Sequence, residues 1–216
     1  MARGKTEKKT YLKISEGKIR EKVDESTQGA VKREYEDNDG NKKVIYEIVD
    51  DFVEGYFRGL TVHSHPSYGD SYNLLLEDGT ETFTLQFKCG SSVASAIISK
   101  IPNLNLEQRV SVHPYYFIDE GKIKTPVVLM QAGQKVESFW TREDPKGLTP
   151  FPDTTGMDER KRKRAFKAAM TDRLEEMEAY VMKVLDKAMP ESKADVVVPK
   201  LDKVEHPDAD ETSLPF

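Results

Sequence analysis

Residues 81–89 read Glu-Thr-Phe-Thr-Leu-Gln-Phe-Lys-Cys, and their pattern decides the class of fold. Apolar and polar side chains alternate along this stretch, which is the period of a β-strand with one buried and one solvated face. The predicted buried face is Phe83, Leu85, Phe87 and Cys89, and the predicted solvated face is Thr82, Thr84, Gln86 and Lys88. The sequence therefore predicts a mainly β protein.

The same alternation occurs on both sides of this strand. It predicts a three-stranded meander, because the stretch that begins at Tyr56 alternates too and the Asp78-Gly79 turn leads directly into residue 81. Residues 91–100 instead have apolar side chains at helical spacing, with a serine start and Pro102 as a stop. The other strands are predicted at residues 56–63, 71–76, 109–118, 125–131 and 135–140.

Three strands, a short helix and at least two more strands form the element order of an OB-fold barrel. We therefore expect an OB-fold-like five-stranded barrel, although an unrelated small barrel or sandwich would share this order. Residues 11–23 and the hairpin pattern around Asp39-Gly40 predict additional strands at the N-terminal side. The predicted domain spans residues 11–143.

The remaining segments are predicted to lie outside this domain. Residues 1–10 are expected to form a disordered basic arm, and residues 144–156, rich in proline and glycine, a linker. A long helix is predicted at 157–189, where Thr155 and Asp158 approximate a capping box. Its apolar stripe needs a surface, supplied either by the barrel or by another subunit. The stripe consists of Met170, Leu174, Met177, Val181, Val184 and Ala188.

The composition of the 216 residues narrows the class of protein. Mean hydropathy is -0.64, and no apolar stretch follows the basic start, so we expect a cytoplasmic protein without a signal peptide or membrane contact. Cys89 is the only cysteine, which excludes an internal disulfide and a multi-cysteine zinc site. Neither a cofactor, a metal nor enzymatic activity is expected.

Charge is segregated along the chain, although the net charge is only -5. Residues 205–216 carry four acids and no lysine or arginine, within a stretch, 190–216, that is expected to form a flexible acidic tail. Residues 1–22 hold eight lysines and arginines against three acids, and residues 160–164 read Arg-Lys-Arg-Lys-Arg. This distribution favours a polyanionic partner, with the tail as a competitor for the same basic surface. The alternative is that these charge runs are solvated faces.

The sequence closes with Thr212-Ser213-Leu214-Pro215-Phe216, preceded by Asp208, Asp210 and Glu211. Acidic residues followed by Leu-Pro-Phe resemble the C-terminal tip of bacterial and phage single-stranded DNA-binding proteins, which is a run of aspartates followed by Ile-Pro-Phe. Ser213 stands where that family has an aspartate, and the acids here are spread from Glu205 onward. The alternative is an ordinary frayed terminus.

The resemblance implies an OB-fold protein that binds and protects single-stranded DNA without sequence preference, in the host cytoplasm if a phage encodes it. It also implies a tail that recruits replication, recombination or repair enzymes, since in that family the terminal aromatic residue docks into basic pockets of such enzymes. The partner-binding residues would be Asp208, Asp210, Glu211, Leu214, Pro215 and Phe216. Homo-oligomerisation through the C-terminal helix is a further expectation.

A single strand is held without sequence preference by cations near its phosphates and by aromatic rings that stack on its bases. The β region and the start of the last helix supply both kinds of side chain. The predicted DNA-binding residues are Arg58, Tyr72, Lys88, Arg109, Tyr115, Tyr116, Trp140, Arg142, Arg160, Lys161 and Arg162. For each aromatic residue among them, packing in the core is the alternative.

Two other functions are also considered. A β-barrel with a dimerising helix could serve interaction or assembly without nucleic acid. His63-Ser64-His65-Pro66 followed by Ser67 and Asp70 resembles the His-x-His-Pro and Ser-x-x-Asp pieces of the JAMM zinc metallopeptidases, in which two histidines and an aspartate bind zinc. Ser67 directly follows Pro66, whereas that family separates the two by several residues, so the spacing disfavours a peptidase.

Overall fold

The computed structural model describes residues 8–36, 40–66, 69–141 and 143–188. Within these ranges the chain is mainly β, with 45% strand and 23% helix, as the alternation predicted. No helix among the described residues is long and apolar enough to cross a membrane.

The strands and helices follow the predicted order closely. The strands are β1 Lys8–Ser15, β2 Lys18–Val23, β3 Val31–Glu36, β4 Lys42–Asp50, β5 Val53–His65, β6 Gly69–Asp78, β7 Glu81–Lys88, β8 Arg109–Pro114, β9 Phe117–Asp119, β10 Lys122–Lys124, β11 Val127–Gln131 and β12 Gln134–Lys135. The helices are α1 Ser92–Ile98 and α2 Glu159–Ala188, and a 3-10 turn covers Ile101–Asn103. Three boundaries correct the predictions. Residues 8–10 of the expected arm belong to β1, the expected strand 109–118 ends at Pro114, and the expected strand 135–140 ends at Lys135.

Ten of the strands form one sheet in the order β12-β11-β8-β5-β6-β7-β1-β2-β4-β3, and β9 and β10 form a separate hairpin. The predicted five-stranded closed barrel is wrong, because this sheet is open. The edge of β7 that is not paired with β6 is occupied by the N-terminal strand β1, which runs parallel to β7 from Lys8 beside Glu81 to Lys13 beside Gln86. That edge is consequently not available to close the five strands β5 to β8 and β11 into a barrel.

The open sheet is strongly curved. β1 lies four places from β8 in the sheet, yet the turn between β1 and β2 touches the chain just after β8. A Cβ atom on Gly17 would lie 2.6 Å from the carbonyl carbon of Tyr115, and the φ of Gly17 is 68°. Both the close contact and the positive φ favour glycine at this position. A β-bulge in β5 between Phe57 and Gly59 contributes to the bend, since bulges increase local twist.

The core lies inside the curved sheet and is covered by the two helices. Leu76, Leu85 and Val112 from the sheet and Ile97 from α1 are all 0% exposed, as is Val181 from α2. The apolar stripe of α2 therefore packs on the body of its own chain at Leu174, Met177 and Val181. The two ends of the predicted stripe are exceptions, because Met170 is 45% exposed and Ala188 is exposed as well.

Both helices begin at polar caps. The Ser91 hydroxyl accepts a hydrogen bond from the Ala94 amide at 3.1 Å, as the serine start predicted. The Asp158 carboxylate accepts one from the Lys161 amide at 2.9 Å, so Asp158 is the cap of α2. The predicted capping box is corrected in this respect, because the Thr155 hydroxyl donates to Asp153 instead.

A hydrogen bond from Tyr72 on β6 to the carboxylate of Glu178 joins α2 to the sheet. Burial raises the pKa of Tyr72 far above its usual range, and the Glu178 hydrogen bond raises it further, so the hydroxyl stays protonated and donates. We expect Tyr72→Phe to lower the free energy of unfolding by about 1.5 to 3 kcal/mol, the value of a hydrogen bond to a charged group. Chemical denaturation measures this loss.

Tyr180→Phe is the matched control for this variant. Tyr180 is on the same helix, and its ring contacts with Phe139 and Trp140 survive removal of the hydroxyl. We expect this control to stay within about 0.5 kcal/mol of the wild type. Equal losses in the two variants would contradict the assignment of the Tyr72 hydroxyl as the link between helix and sheet.

Candidate nucleic-acid interface

Four consecutive large apolar residues are exposed where β8 ends and β9 begins. Tyr115 is 46% exposed, Tyr116 55%, Phe117 45% and Ile118 68%. The Tyr115 amide donates to the carbonyl of Pro126 at 3.1 Å, which fixes the start of this aromatic segment against the strand that returns after the β9–β10 hairpin. Solvent-facing aromatic rings on a fixed backbone can stack on bases at low entropic cost.

The aromatic segment continues into a larger surface through its neighbours. Val53 pairs with Val112 in the sheet, so the preceding Phe52 lies beside His113, and their rings stack with centroids 4.8 Å apart at 21°. Phe52 is itself 49% exposed. On the other side, the β1–β2 turn packs on the backbone of Tyr115 and Tyr116, and Lys18 in that turn is paired with Asp51. Aromatic rings and the Lys18–Asp51 ion pair thus meet where β8 ends.

Lys13 and Lys88 lie on the same solvated face of the sheet. Lys13 on β1 lies beside Gln86 on β7, and Lys88 follows two residues later on the same face of β7. Gln86 and Lys88 are exposed, as the alternation in residues 81–89 predicted. β1 continues from Lys13 into the turn at Gly17, which contacts the aromatic segment, but the Lys13 ammonium itself lies 3.7 Å from the Glu47 carboxylate.

The structure brings two of the predicted cations, Arg58 and Arg109, together at a different place, among acids. Arg58 is paired with Glu77 on the neighbouring strand. Arg109 lies 2.8 Å from the Glu54 carboxylate and 2.9 Å from that of Asp78. The hydrogen bond that Arg109 donates to the Asp78 carboxylate raises the pKa of Arg109, so its charge is permanent but neutralised locally. This pair of arginines faces three carboxylates and gives no positive patch.

Tyr72 and Trp140 are corrections to the predicted stacking residues. Tyr72 is only 2% exposed and Trp140 7%, so neither ring has a free face for a base. The Trp140 indole packs edge-on against Phe139, with centroids 4.9 Å apart, and against Tyr180 at 5.4 Å. The alternative of core packing applies to these two rings because α2 covers them.

The predicted cations at the start of α2 are exposed. Arg160, Lys161 and Arg162 all face solvent, although Lys161 lies 3.5 Å from Asp158 and Arg162 donates to the Met157 carbonyl at 3.3 Å. Within the described ranges, no contact joins these three residues to the aromatic segment.

The predicted residues that lie outside the described ranges are Arg142 and the six tail residues Asp208, Asp210, Glu211, Leu214, Pro215 and Phe216.

Several residues of this surface were missed from the sequence, namely Phe117, Ile118, Phe52 and Lys13. The sequence does indicate exposure for Phe117 and Ile118, because residues 115–118 read Tyr-Tyr-Phe-Ile and do not alternate. A strand with one solvated face cannot bury four consecutive apolar residues, so some of them had to be exposed. Phe52 and Lys13 had no such signal, since their roles depend on sheet curvature.

The histidine pair does not assemble into a metal site. His63 lies beside Ser71, and Ser64 lies beside Asp70, so Asp70 is on the opposite face of the sheet from His63 and His65. No group of three histidine, cysteine or acidic side chains within the described ranges could hold a metal ion. The peptidase alternative gains no support.

The interface therefore offers ring faces and lysines. Such a surface can bind a polymer that has planar bases and phosphates.

Comparison of the chain with protein-family models, with curated proteins and with solved structures found no match.

Proposed function

We propose that this chain is a non-enzymatic protein that binds single-stranded DNA without sequence preference. In this proposal it protects the strand and recruits replication, recombination or repair proteins through its tail. The observation that carries the proposal is the exposed aromatic segment Tyr115, Tyr116, Phe117 and Ile118. Each stacked base contributes about 1 to 3 kcal/mol, and every base has a face that can stack, which explains binding without sequence preference.

The strand connectivity supports an OB-type binding domain within the larger sheet. The spatial order β8-β5-β6-β7 is that of a Greek key, in which three consecutive strands are joined by hairpins and the fourth returns beside the first. β11 adds a fifth strand beside β8, and α1 lies between the third and fourth strands. OB-folds are five-stranded Greek-key barrels, and they bind oligonucleotides on strands 2 and 3 and on the loops after strands 1 and 4. Among the described residues those positions are β6, β7 and the aromatic segment.

The recruitment part of the proposal is supported by the sequence of the tail alone. Asp208, Asp210 and Glu211 followed by Leu214-Pro215-Phe216 resemble the docking tip of the single-stranded DNA-binding proteins. Capture of such an end by a basic pocket is a known mode of peptide recognition.

Titration of the full chain into a fluorescently labelled oligo-dT, followed by anisotropy, tests the proposal. Because Trp140 is buried among other rings, the label is a better reporter than the intrinsic fluorescence. We expect saturable binding that weakens with salt, with a slope of about -0.7 in log K against log salt for each phosphate contacted. A double-stranded competitor of random sequence should compete poorly. No binding at low salt would refute the proposal.

A second candidate function is protein interaction or assembly without nucleic acid. The ion pairs favour it, because Lys18, Lys124, Arg58 and Arg109 all have acidic partners and the net charge is -5. An exposed aromatic segment is also typical of a protein-binding surface. Absence of DNA binding in the same titration would favour this second function.

A further inference from the structure

The apolar stripe of α2 extends beyond the surface that covers it. Phe166, Met170 and Leu174 follow one another at four-residue spacing and therefore share one face of the helix. Leu174 is 7% exposed and packed in the core, whereas Met170 is 45% and Phe166 41% exposed. The first turns of α2 thus present to solvent the continuation of a stripe that is buried further along.

The linker holds a third apolar side chain against this face. The Phe151 ring lies 5.7 Å from the Phe166 ring, and the Arg173 guanidinium lies 4.5 Å from the centre of Phe151. Thr149 fixes the backbone here, since its amide donates to Glu176 at 2.8 Å and its carbonyl accepts from Arg173 at 2.5 Å. Phe151, Phe166 and Met170 therefore form one apolar α2 patch on the described part of the chain.

Basic side chains surround the apolar α2 patch. Residues 160–164 and Lys167 supply six cations, all of them exposed, within the same turns of the helix. Two acids offset them in part, because Lys163 lies 2.7 Å from Glu159 and Lys161 lies 3.5 Å from Asp158. A partner that fits must combine apolar groups with negative charge.

We propose that residues 205–216 of the same chain dock on the apolar α2 patch. Leu214, Pro215 and Phe216 would cover Phe151, Phe166 and Met170. The acids at 205, 208, 210 and 211 would lie beside the basic residues 160–164. This segment is the complement of the patch in both respects, since it carries four acids, no lysine or arginine, and an apolar tripeptide.

The chain is long enough for this contact within one molecule. About 33 Å of helix separate Ala188 from Phe166 at a rise of 1.5 Å per residue. Residues 189–204 can extend to about 53 Å. The segment that follows them can therefore reach the patch without strain.

A second copy of the helix is a poorer fit than the tail. Two α2 patches facing each other would bring two Arg-Lys-Arg-Lys-Arg runs together unless the helices were antiparallel. An antiparallel pair would place Asp172 and Glu175 opposite the basic run, which supplies fewer acids than the tail does. The segment 205–216 satisfies the basic and the apolar parts of the surface together.

Steady-state heteronuclear NOE measurements on the full nitrogen-15-labelled chain, without DNA, test the proposal. We expect the amides of Leu214 and Phe216 to show restricted motion relative to those of residues 192–200. This restriction should be lost in Phe166→Ser/Met170→Ser and reduced in Arg160→Glu/Arg164→Glu. The control Val31→Ser/Val44→Ser changes two equally exposed apolar residues on β3 and β4 and should leave the NOE values unchanged.

Three results would overturn the proposal. The first is unrestricted motion of Leu214 and Phe216 in the wild type, and the second is restriction that survives the Phe166→Ser/Met170→Ser change. The third is restriction that disappears on dilution together with a doubled mass in sedimentation velocity, which would assign the patch to a second copy. Because no DNA is present, failure here leaves the oligo-dT titration unaffected.

Discussion

Replacing Tyr115 and Tyr116 together by alanine is expected to weaken binding of oligo-dT by at least about 30-fold. Each stacked ring contributes roughly 1 kcal/mol or more, and each 1.4 kcal/mol corresponds to a tenfold change in affinity. Both rings are about half exposed, so their removal opens no cavity in the core. The free energy of unfolding should therefore change by no more than about 0.5 kcal/mol. Anisotropy titration and chemical denaturation of the same samples measure the two quantities.

The matched control is Tyr115→Phe/Tyr116→Phe, which keeps both ring faces and removes only the hydroxyls. It should bind within about threefold of the wild type if stacking is the source of the affinity. The salt dependence of the alanine variant should stay unchanged, because the rings carry no charge and release no counterions. Equal weakening in the alanine and phenylalanine variants, or a flatter salt dependence in the alanine variant, would contradict stacking at these two positions.

Local pattern was sufficient to predict the strands but not their closure. The alternation in residues 81–89 depends only on neighbouring side chains, and Leu85, Phe87, Gln86 and Lys88 have the predicted burial. Thr84 is the exception, because it is 6% exposed although predicted on the solvated face. Whether the sheet closes depends on which strand pairs with the free edge of β7. That strand is β1, about 70 residues earlier in the chain and parallel to β7, and a parallel pairing leaves no turn signal in the sequence. The barrel was wrong for this reason.

The exposure of each aromatic side chain was equally nonlocal. Tyr72 and Tyr115 both occur in β-rich sequence, and the non-alternating run at 115–118 indicates only that some of its four residues are exposed, not which ones. Tyr72 is buried because Glu178, 106 residues later, brings α2 onto its strand. Tyr115 is exposed because the turn at Gly17 and the carbonyl of Pro126 contact its backbone rather than its ring. Side-chain exposure here is set by packing between distant elements.

Whether a lysine or arginine side chain is available to DNA also depends on the fold. Arg109 was predicted to contact DNA because it begins a strand, but the fold places that strand end beside Glu54 and Asp78. Lys13 shares a solvated sheet face with Gln86 of β7, yet its ammonium lies 3.7 Å from the Glu47 carboxylate and is partly neutralised as well. Cross-strand neighbours, which the sequence does not specify, decide whether a positive charge is neutralised or presented.

The largest effect on stability is expected at Glu47 on β4, whose side chain is 0% exposed. Its carboxylate accepts from Arg20 at 2.9 Å and from Arg33 at 3.0 Å, and Lys13 lies 3.7 Å away. This one carboxylate therefore joins β1, β2, β3 and β4. Glu47→Gln leaves Arg20, which is 11% exposed, without its buried counter-charge. We expect a loss of about 3 kcal/mol in the free energy of unfolding, the lower end for breaking a buried ion pair, because Arg33 and Lys13 keep access to water.

The pH dependence of this loss shows whether Glu47 stabilises the fold through its charge or through its packing. Burial alone would raise the pKa of the Glu47 carboxyl, but hydrogen bonds from Arg33 and Arg20 and the charge of Lys13 outweigh burial and hold the pKa below 4.5. A carboxyl with a lowered folded pKa stabilises the fold fully above its unfolded pKa, and this contribution is lost as the pH falls through the folded value. The wild type should therefore lose its advantage over Glu47→Gln progressively below pH 4.5, as measured by urea denaturation at successive pH values.

Glu34→Gln on β3 is the control, since Glu34 is 64% exposed and paired only with Lys32 at 2.5 Å among the described residues. An exposed pair of this kind contributes about 0 to 1 kcal/mol, so this variant should remain close to the wild type at neutral pH. Hydrogen exchange should locate the difference, because Glu47→Gln releases β3 and β4 first while the amides of β6 and β7 stay protected. A loss in Glu47→Gln that is constant across the acid range would show that the amide disturbs packing and that the ion pairs contribute little.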